Sequence, residues 1–203
     1  MTDEPVTADP PDSPFRTTGV DHVTIWGSNA EDTIAFYRDL LGMPLVLRQP
    51  NLDDRRQTHL FFDIGDGRLL TVFVNPERES NRGRQLTPTG GVHHLAFSVD
   101  PAEFEDVLEA LDEAGHGYNV FDRGIFYSAY TTDHNGLVIE LATDKYDVPA
   151  DRRGEVLAKT QQLREDAGAE FAREEDLEAA LAALDIDASA ADLPDAATGA
   201  DTR

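Results

Sequence analysis

The chain writes one order of elements twice, and that repeat limits what it can fold into. Val20 to Trp26 (VDHVTIW) alternates as a strand does, Asn29-Ala30-Glu31-Asp32 opens a helical stretch with Ile34, Phe36, Leu40 and Leu41 on one side, and Gly42 closes it. LVLRQ, THLFFDI and LLTVFVN follow as strands, with Asp66-Gly67 as a hairpin turn between the last two. The order recurs: Val92 to Val99 (VHHLAFSV) as strand, Pro101 to Ala114 as helix with Phe104, Val107, Leu108 and Leu111 inward, then YNVFD, YSAYTTD and LVIELAT. Laying VDHVTIW on VHHLAFS places His22 on His94, 72 residues further on. The expected fold is α+β: two paired βαβββ modules, at 17–76 and 90–147, whose curved mixed sheet surrounds a metal cleft.

The flanks differ in composition. Residues 1–16 are rich in Pro and Asp and are expected to be disordered. The body runs from 17 to 147. Residues 148–184 form a helix-prone extension with Val156, Leu157, Leu163, Phe171, Leu177 and Leu181 as its apolar members, expected to dock on the body or on a second copy. From Asp185 to Arg203 there is little to bury, and an acidic disordered tail is expected.

Charge removes two classes of partner. With 40 acidic against 17 basic residues the formal charge is -23, which repels nucleic acid and anionic lipid. Acid excess spread over folded segments and tails alike suggests a halophilic protein, kept soluble at high salt. The start has no cationic, apolar leader and no later run approaches the ~18 apolar residues of a membrane span, so a cytoplasmic protein is expected. There is no Cys, which removes disulfides, thiolate nucleophiles and sulfur-bound zinc, so any metal must be held by His, Asp or Glu.

Strand alternation then places the candidates. His22 shares a face with Thr24, and His94 with Ala96 and Ser98, while His93 should face away from His94. In two paired modules the two equivalent histidines can face each other across the cleft. Glu140 lies inside the otherwise apolar LVIELA, where a buried carboxylate without a partner is costly and a cation would supply that partner. Two imidazoles and one carboxylate leave positions open for substrate oxygens and dioxygen, as in the facial triad of non-haem Fe(II) oxygenases. Taken singly, a strand histidine is more often a packed residue than a ligand, and Glu140 could be an edge-strand residue; their repeat-equivalent placement favours the metal. Aligning Gly67 on Gly136 sets Thr71 opposite Glu140, so a fourth ligand is absent.

With these residues in hand, the body resembles the vicinal oxygen chelate superfamily, which includes glyoxalase I, fosfomycin and bleomycin resistance proteins and extradiol dioxygenases. Glyoxalase I uses a carboxylate in each half, where this chain has Thr71. VFDRGIFYSAYTTDHNGLVIELAT at 120–143, with NLDDRRQTHLFFDIGDG at 51–67, resembles ring-cleaving dioxygenases that act on hydroquinones, although those carry four βαβββ units and a Pro-containing turn where this chain has His134-Asn135. The resemblance implies His22, His94 and Glu140 as ligands of Fe(II), with Mn(II), Zn(II) or Ni(II) as other metals of the scaffold. It implies Thr24, His93, Arg123 and Tyr130 as groups around the substrate. Arg123 would offset a phenolate, Tyr130 would hydrogen-bond a substrate oxygen, and His59 has a match of unassigned role.

The reading is a metal-dependent extradiol-type dioxygenase that opens a dihydroxylated ring such as a catechol or hydroquinone, working on a small aromatic substrate and O2, with a homodimer expected. Two rivals stand beside it. One is a glyoxalase-like lyase, isomerase or thiol transferase on another divalent metal, since a fold does not fix a reaction. The other is a metal-free protein that sequesters a drug or aromatic ligand.

Overall fold

The computed structural model describes residues 6–65 and 67–193 and the backbone of Ala197 and Thr198. The repeat appears as two open sheets. In the first module β1 (His22–Trp26) is followed by α1 (Ala30–Ile34), which continues through Ala35–Leu40 as π-helix, then by β2 (Leu45–Pro50), β3 (Thr58–Asp63) and β4 (Leu69–Val74). In the second, β5 (Leu95–Ser98) leads through a 3₁₀ turn at Pro101–Glu103 to α2 (Phe104–Glu113), β6 (Asn119–Asp122), β7 (Phe126–Thr132) and β8 (Val138–Asp144). The sheet orders are β1-β4-β3-β2 and β5-β8-β7-β6, with the first and last strand of each module parallel and the other pairs antiparallel. Ala197–Thr198 (β9) adds to β6.

Local chemistry sets the element ends. Asn29 accepts from the Asp32 backbone N–H at 2.9 Å and Asp100 from that of Ala102 at 2.9 Å, each capping a helix start, and Gly42 ends the first helix at φ +70. The π-helical stretch differs from the expected plain helix. Its wider turn brings Tyr37, as well as Phe36, fully into the core. The strand expected from Val92 begins only at Leu95, because the Gly90-Gly91 turn leaves Val92 to His94 outside the ladder. Of the expected hairpin turn, Asp66 lies outside the described residues; Gly65 and Gly67 flank it at φ +92 and +79.

Apolar strand residues on one face of each sheet meet α1 and α2 in a single core. Leu60, Phe62, Leu70, Val72 and Val74 come from the first module, and Phe104, Leu111, Ala129, Ile139 and Leu141 from the second. The Tyr37 hydroxyl donates to Asp133 at 2.9 Å, and Thr33 Oγ1 lies 3.0 Å from His134 Nε2, so the modules are joined through their helix-covered faces. The opposite faces, carrying His22 on one sheet and Glu140 on the other, lie away from this shared core, and among the described residues no three potential ligands meet within one chain.

His134 is buried at this junction, and burial holds its pKa below the usual imidazole value, as it does for the neighbouring His116. The unfolded chain therefore binds protons on these rings that the folded chain resists. Stability present above the ordinary imidazole pKa of about 6.5 is lost as the pH falls through and below it. The urea midpoint is expected to drop between about pH 7.5 and 5.5, and to drop less in His134→Gln; a midpoint flat over that range would contradict this.

The extension is two helices, α3 (Arg153–Asp166) and α4 (Glu174–Ala183), parted at Gly168 with φ +67. Val156, Leu177 and Leu181 are buried with Tyr146 in a second, smaller cluster that also takes in Leu163, whereas Leu157 and Phe171 are exposed. The segment from Asp185, expected to have little to bury, packs Ile186 and Ala188 onto that cluster and runs antiparallel to Lys145–Asp147 through Asp147 N–H to Ser189 O (3.1 Å) and Ala191 N–H to Lys145 O (2.8 Å). Residues 1–5 and most of 194–203, the ends of the two expected disordered segments, lie outside the described residues.

Candidate metal centre

Glu140 sits mid-strand in β8 with Ile139 and Leu141 pointing into the core, so alternation turns its carboxylate to the outer face. There it is 4% exposed. Oε2 lies 2.8 Å from His94 Nε2, and Oε1 accepts from Ser128 Oγ at 2.5 Å. Register explains the meeting: Ala96 and Tyr130 are the lateral partners of Glu140, and Ser128, two residues from Tyr130, shares its face.

Around this pair the expected second-half residues gather. The Tyr130 ring stands edge-on to His94 with centroids 5.8 Å apart, and the Arg123 guanidinium lies over the rings of Phe121 (4.7 Å) and Tyr130 (5.1 Å). Burial, then the Glu140 carboxylate, pushes the Tyr130 phenol above its ordinary pKa, so it stays a hydrogen-bond donor near neutral pH. His93 does not face away from His94 as alternation predicts. Its Nδ1 is 2.7 Å from His94 Nδ1, because both residues precede the ladder that would enforce alternation.

The first-half residues lie on the other sheet. His22 is on β1, its side chain 53% exposed, with Nδ1 2.6 Å from Asp21 Oδ1. Thr24 Oγ1 and Thr71 Oγ1 are 2.8 Å apart in paired register, so the position equivalent to Glu140 holds a buried hydroxyl engaged with its neighbour rather than a carboxylate. His59 is stacked between Phe61 (4.0 Å) and Phe73 (4.3 Å), and burial lowers its pKa. Among the described residues no three His, Asp or Glu side chains come close enough to hold a metal within one chain. His94 and Glu140 are brought together; His22 is not brought to them.

Two atoms bound to one ion at about 2.1 Å each and at a right angle stand about 3 Å apart. The 2.8 Å between His94 Nε2 and Glu140 Oε2 fits that spacing, and the hard carboxylate and imidazole donors suit Fe(II), Mn(II), Zn(II) or Ni(II). Sequence reasoning missed Ser128, although its place in YSAY, two before Tyr130, put it on the right face. It also missed the Phe121 platform under Arg123.

The model of the Glyoxalase/Bleomycin resistance protein/Dioxygenase superfamily matches residues 19–141. "Putative ring-cleaving dioxygenase MhqE" of Bacillus subtilis (strain 168) is 30% identical over 104 residues, which is 50% of this chain and 33% of that protein. Metallothiol transferase FosB of Staphylococcus haemolyticus (strain JCSC1435) is 28% identical over 132 residues, 62% of this chain and 83% of that protein. A glyoxalase/dioxygenase structure from Nostoc punctiforme shares the fold with a TM-score of 0.53 at 21% identity, over 68% of this chain and 99% of that one. The match thus spans a third of the length of MhqE and most of that of FosB. Because this match spans more than half of the chain, from β1 through both modules into the Glu140 strand, the chain belongs to the glyoxalase/bleomycin resistance protein/dioxygenase superfamily.

Proposed function

We propose that this chain is a divalent-metal enzyme, working with Fe(II), that opens the ring of a dihydroxylated aromatic such as a catechol or hydroquinone. The observation that carries the reading is the His94–Glu140 pair at 2.8 Å, held beside Tyr130, over whose ring the Arg123 guanidinium lies. His94 and Glu140 would hold the metal from one copy, and His22, outward on the other sheet, would complete the triad from a second copy in a homodimer. Bound iron supplies open positions for substrate and dioxygen and lowers the pKa of a bound hydroxyl.

The chain's own groups would do the rest. Arg123 places a permanent positive charge where a phenolate would approach. Tyr130, protonated, donates to a substrate oxygen. His93, at 2.7 Å from His94 Nδ1, fixes which nitrogen of that ring carries its proton and thereby orients the ligand. Ser128 holds the free oxygen of Glu140 in place. MhqE, named for ring cleavage, supports this chemistry at 30% identity.

FosB favours a second reading, a thiol transferase on another divalent metal, since the match covers 83% of that protein. Anaerobic purification, Fe(II) loading and oxygen-uptake assays on catechol, hydroquinone and chlorohydroquinone separate the two. Uptake matched to substrate consumed is expected. Tight metal with thiol consumption and no oxygen uptake would move the assignment to the transferase, and absence of metal binding would leave a ligand-sequestering protein.

A further inference from the structure

Arg123 sits on a turn that residues beyond the body help to hold. Arg123 lies between β6 and β7, its N–H bonded to Phe126 O at 2.9 Å, with Gly124 at φ +83 donating its N–H to Asp122 Oδ1 at 2.7 Å. The other oxygen of Asp122 takes Lys145 Nζ at 2.9 Å, and the same ammonium reaches Glu174 Oε2 in the first turn of α4 at 2.7 Å. Lys145 is 6% exposed and lies 5.4 Å from the centre of the Tyr127 ring. A buried ammonium is tolerated only with its partners in place, so Asp122 and Glu174 fix each other's positions through it.

Two further contacts reach the same turn. A Cβ on Gly124 would stand 2.5 Å from the Ala172 carbonyl, so the loop before α4 lies directly against the glycine. Ile125 packs into the cluster of Tyr146, Val156 and Leu177, and the Tyr146 hydroxyl donates to Glu178 at 2.7 Å. Backbone, ion pair and apolar side chain thus tie residues 122–125 to α3 and α4. Both helices lie beyond the 19–141 span that defines the family.

We infer that the C-terminal helical extension is a brace that sets where the Arg123 guanidinium stands over Tyr130, with Lys145 and Glu174 as positioning residues for substrate binding. The role rests on the proposed reading of Arg123 as the phenolate partner; the brace itself does not. An arginine on an unbraced turn would lose part of its binding energy to ordering the turn, and that cost falls on substrate affinity rather than on the metal or the chemical step.

The test compares Glu174→Ala, Glu174→Asp, Gly124→Ala and, as control, Arg153→Gln. The control breaks a different tie between extension and body, Arg153 to Asp144 at 2.8 Å. Hydrogen exchange of the 121–126 amides reads the brace without substrate, and catechol kinetics on the Fe(II)-loaded protein read its consequence. Expected are about tenfold faster exchange and about five- to tenfold higher KM in Glu174→Ala and Gly124→Ala, kcat within about twofold, metal content unchanged, partial recovery in Glu174→Asp and no change in the control. Unchanged exchange would overturn the brace whatever the activity. Faster exchange with an unchanged KM would overturn its role in binding. Faster exchange in the variants, with the wild type inert toward every ring tested, would leave the brace standing and overturn the proposed function, and with it the role given to Arg123.

Discussion

Glu140→Ala is expected to abolish tight metal binding and to lower kcat/KM by on the order of a thousandfold or more, to the level of the protein without iron. The carboxylate is the one charged ligand of the proposed triad and sits 4% exposed with both oxygens engaged, by Ser128 and by His94. Removing it leaves two neutral donors that water can serve, so the metal-free fold should lose only about 1 kcal/mol, the lost hydrogen bonds being offset by the burial cost of the charge that is no longer paid. The two effects separate in a melting experiment. Anaerobic Fe(II) should raise the melting temperature of the wild type, because an ion that binds only the folded state stabilises it, and should leave Glu140→Ala where it was. Equal shifts in both proteins would show that the ion binds elsewhere.

His22→Ala is expected to be as inactive as Glu140→Ala, yet a mixture of the two, exchanged through mild denaturant and refolded, should regain up to about a quarter of the wild-type rate. His22 stands on the outer face of one sheet and Glu140 on the outer face of the other, and the helix sides of the modules are already occupied with each other. A complete triad then needs a second chain. In a random mixture about half the dimers carry one chain of each variant, and each of these has one site with both defects and one with none. Activity recovered only on mixing identifies a shared site; two variants that stay inactive together would place the ligands otherwise.

The positions of these residues were legible in the sequence because strand alternation is a local property. Period two put His22 beside Thr24 and turned Glu140 away from Ile139 and Leu141, and the repeat set Thr71 in register equivalent to Glu140. What alternation does not say is which face of a sheet meets which. That was decided by Tyr37 and Asp133 and by Thr33 and His134, contacts made about a hundred residues apart, the first of them from a π-helical turn that no local pattern announces. His93 turned toward His94 because the ladder begins one residue later, at Leu95. The brace on Arg123 depends on Lys145 meeting Asp122 and Glu174, and in sequence these three look like ordinary surface charges.

Crystals of the purified protein, soaked in Fe(II) without oxygen and measured at the iron absorption edge, test the central claim most directly. The shared triad predicts one anomalous peak per chain, within bonding distance of His94 Nε2 and Glu140 Oε2 and completed by His22 from a second copy. A peak held by other residues, or none at this pair, would contradict it.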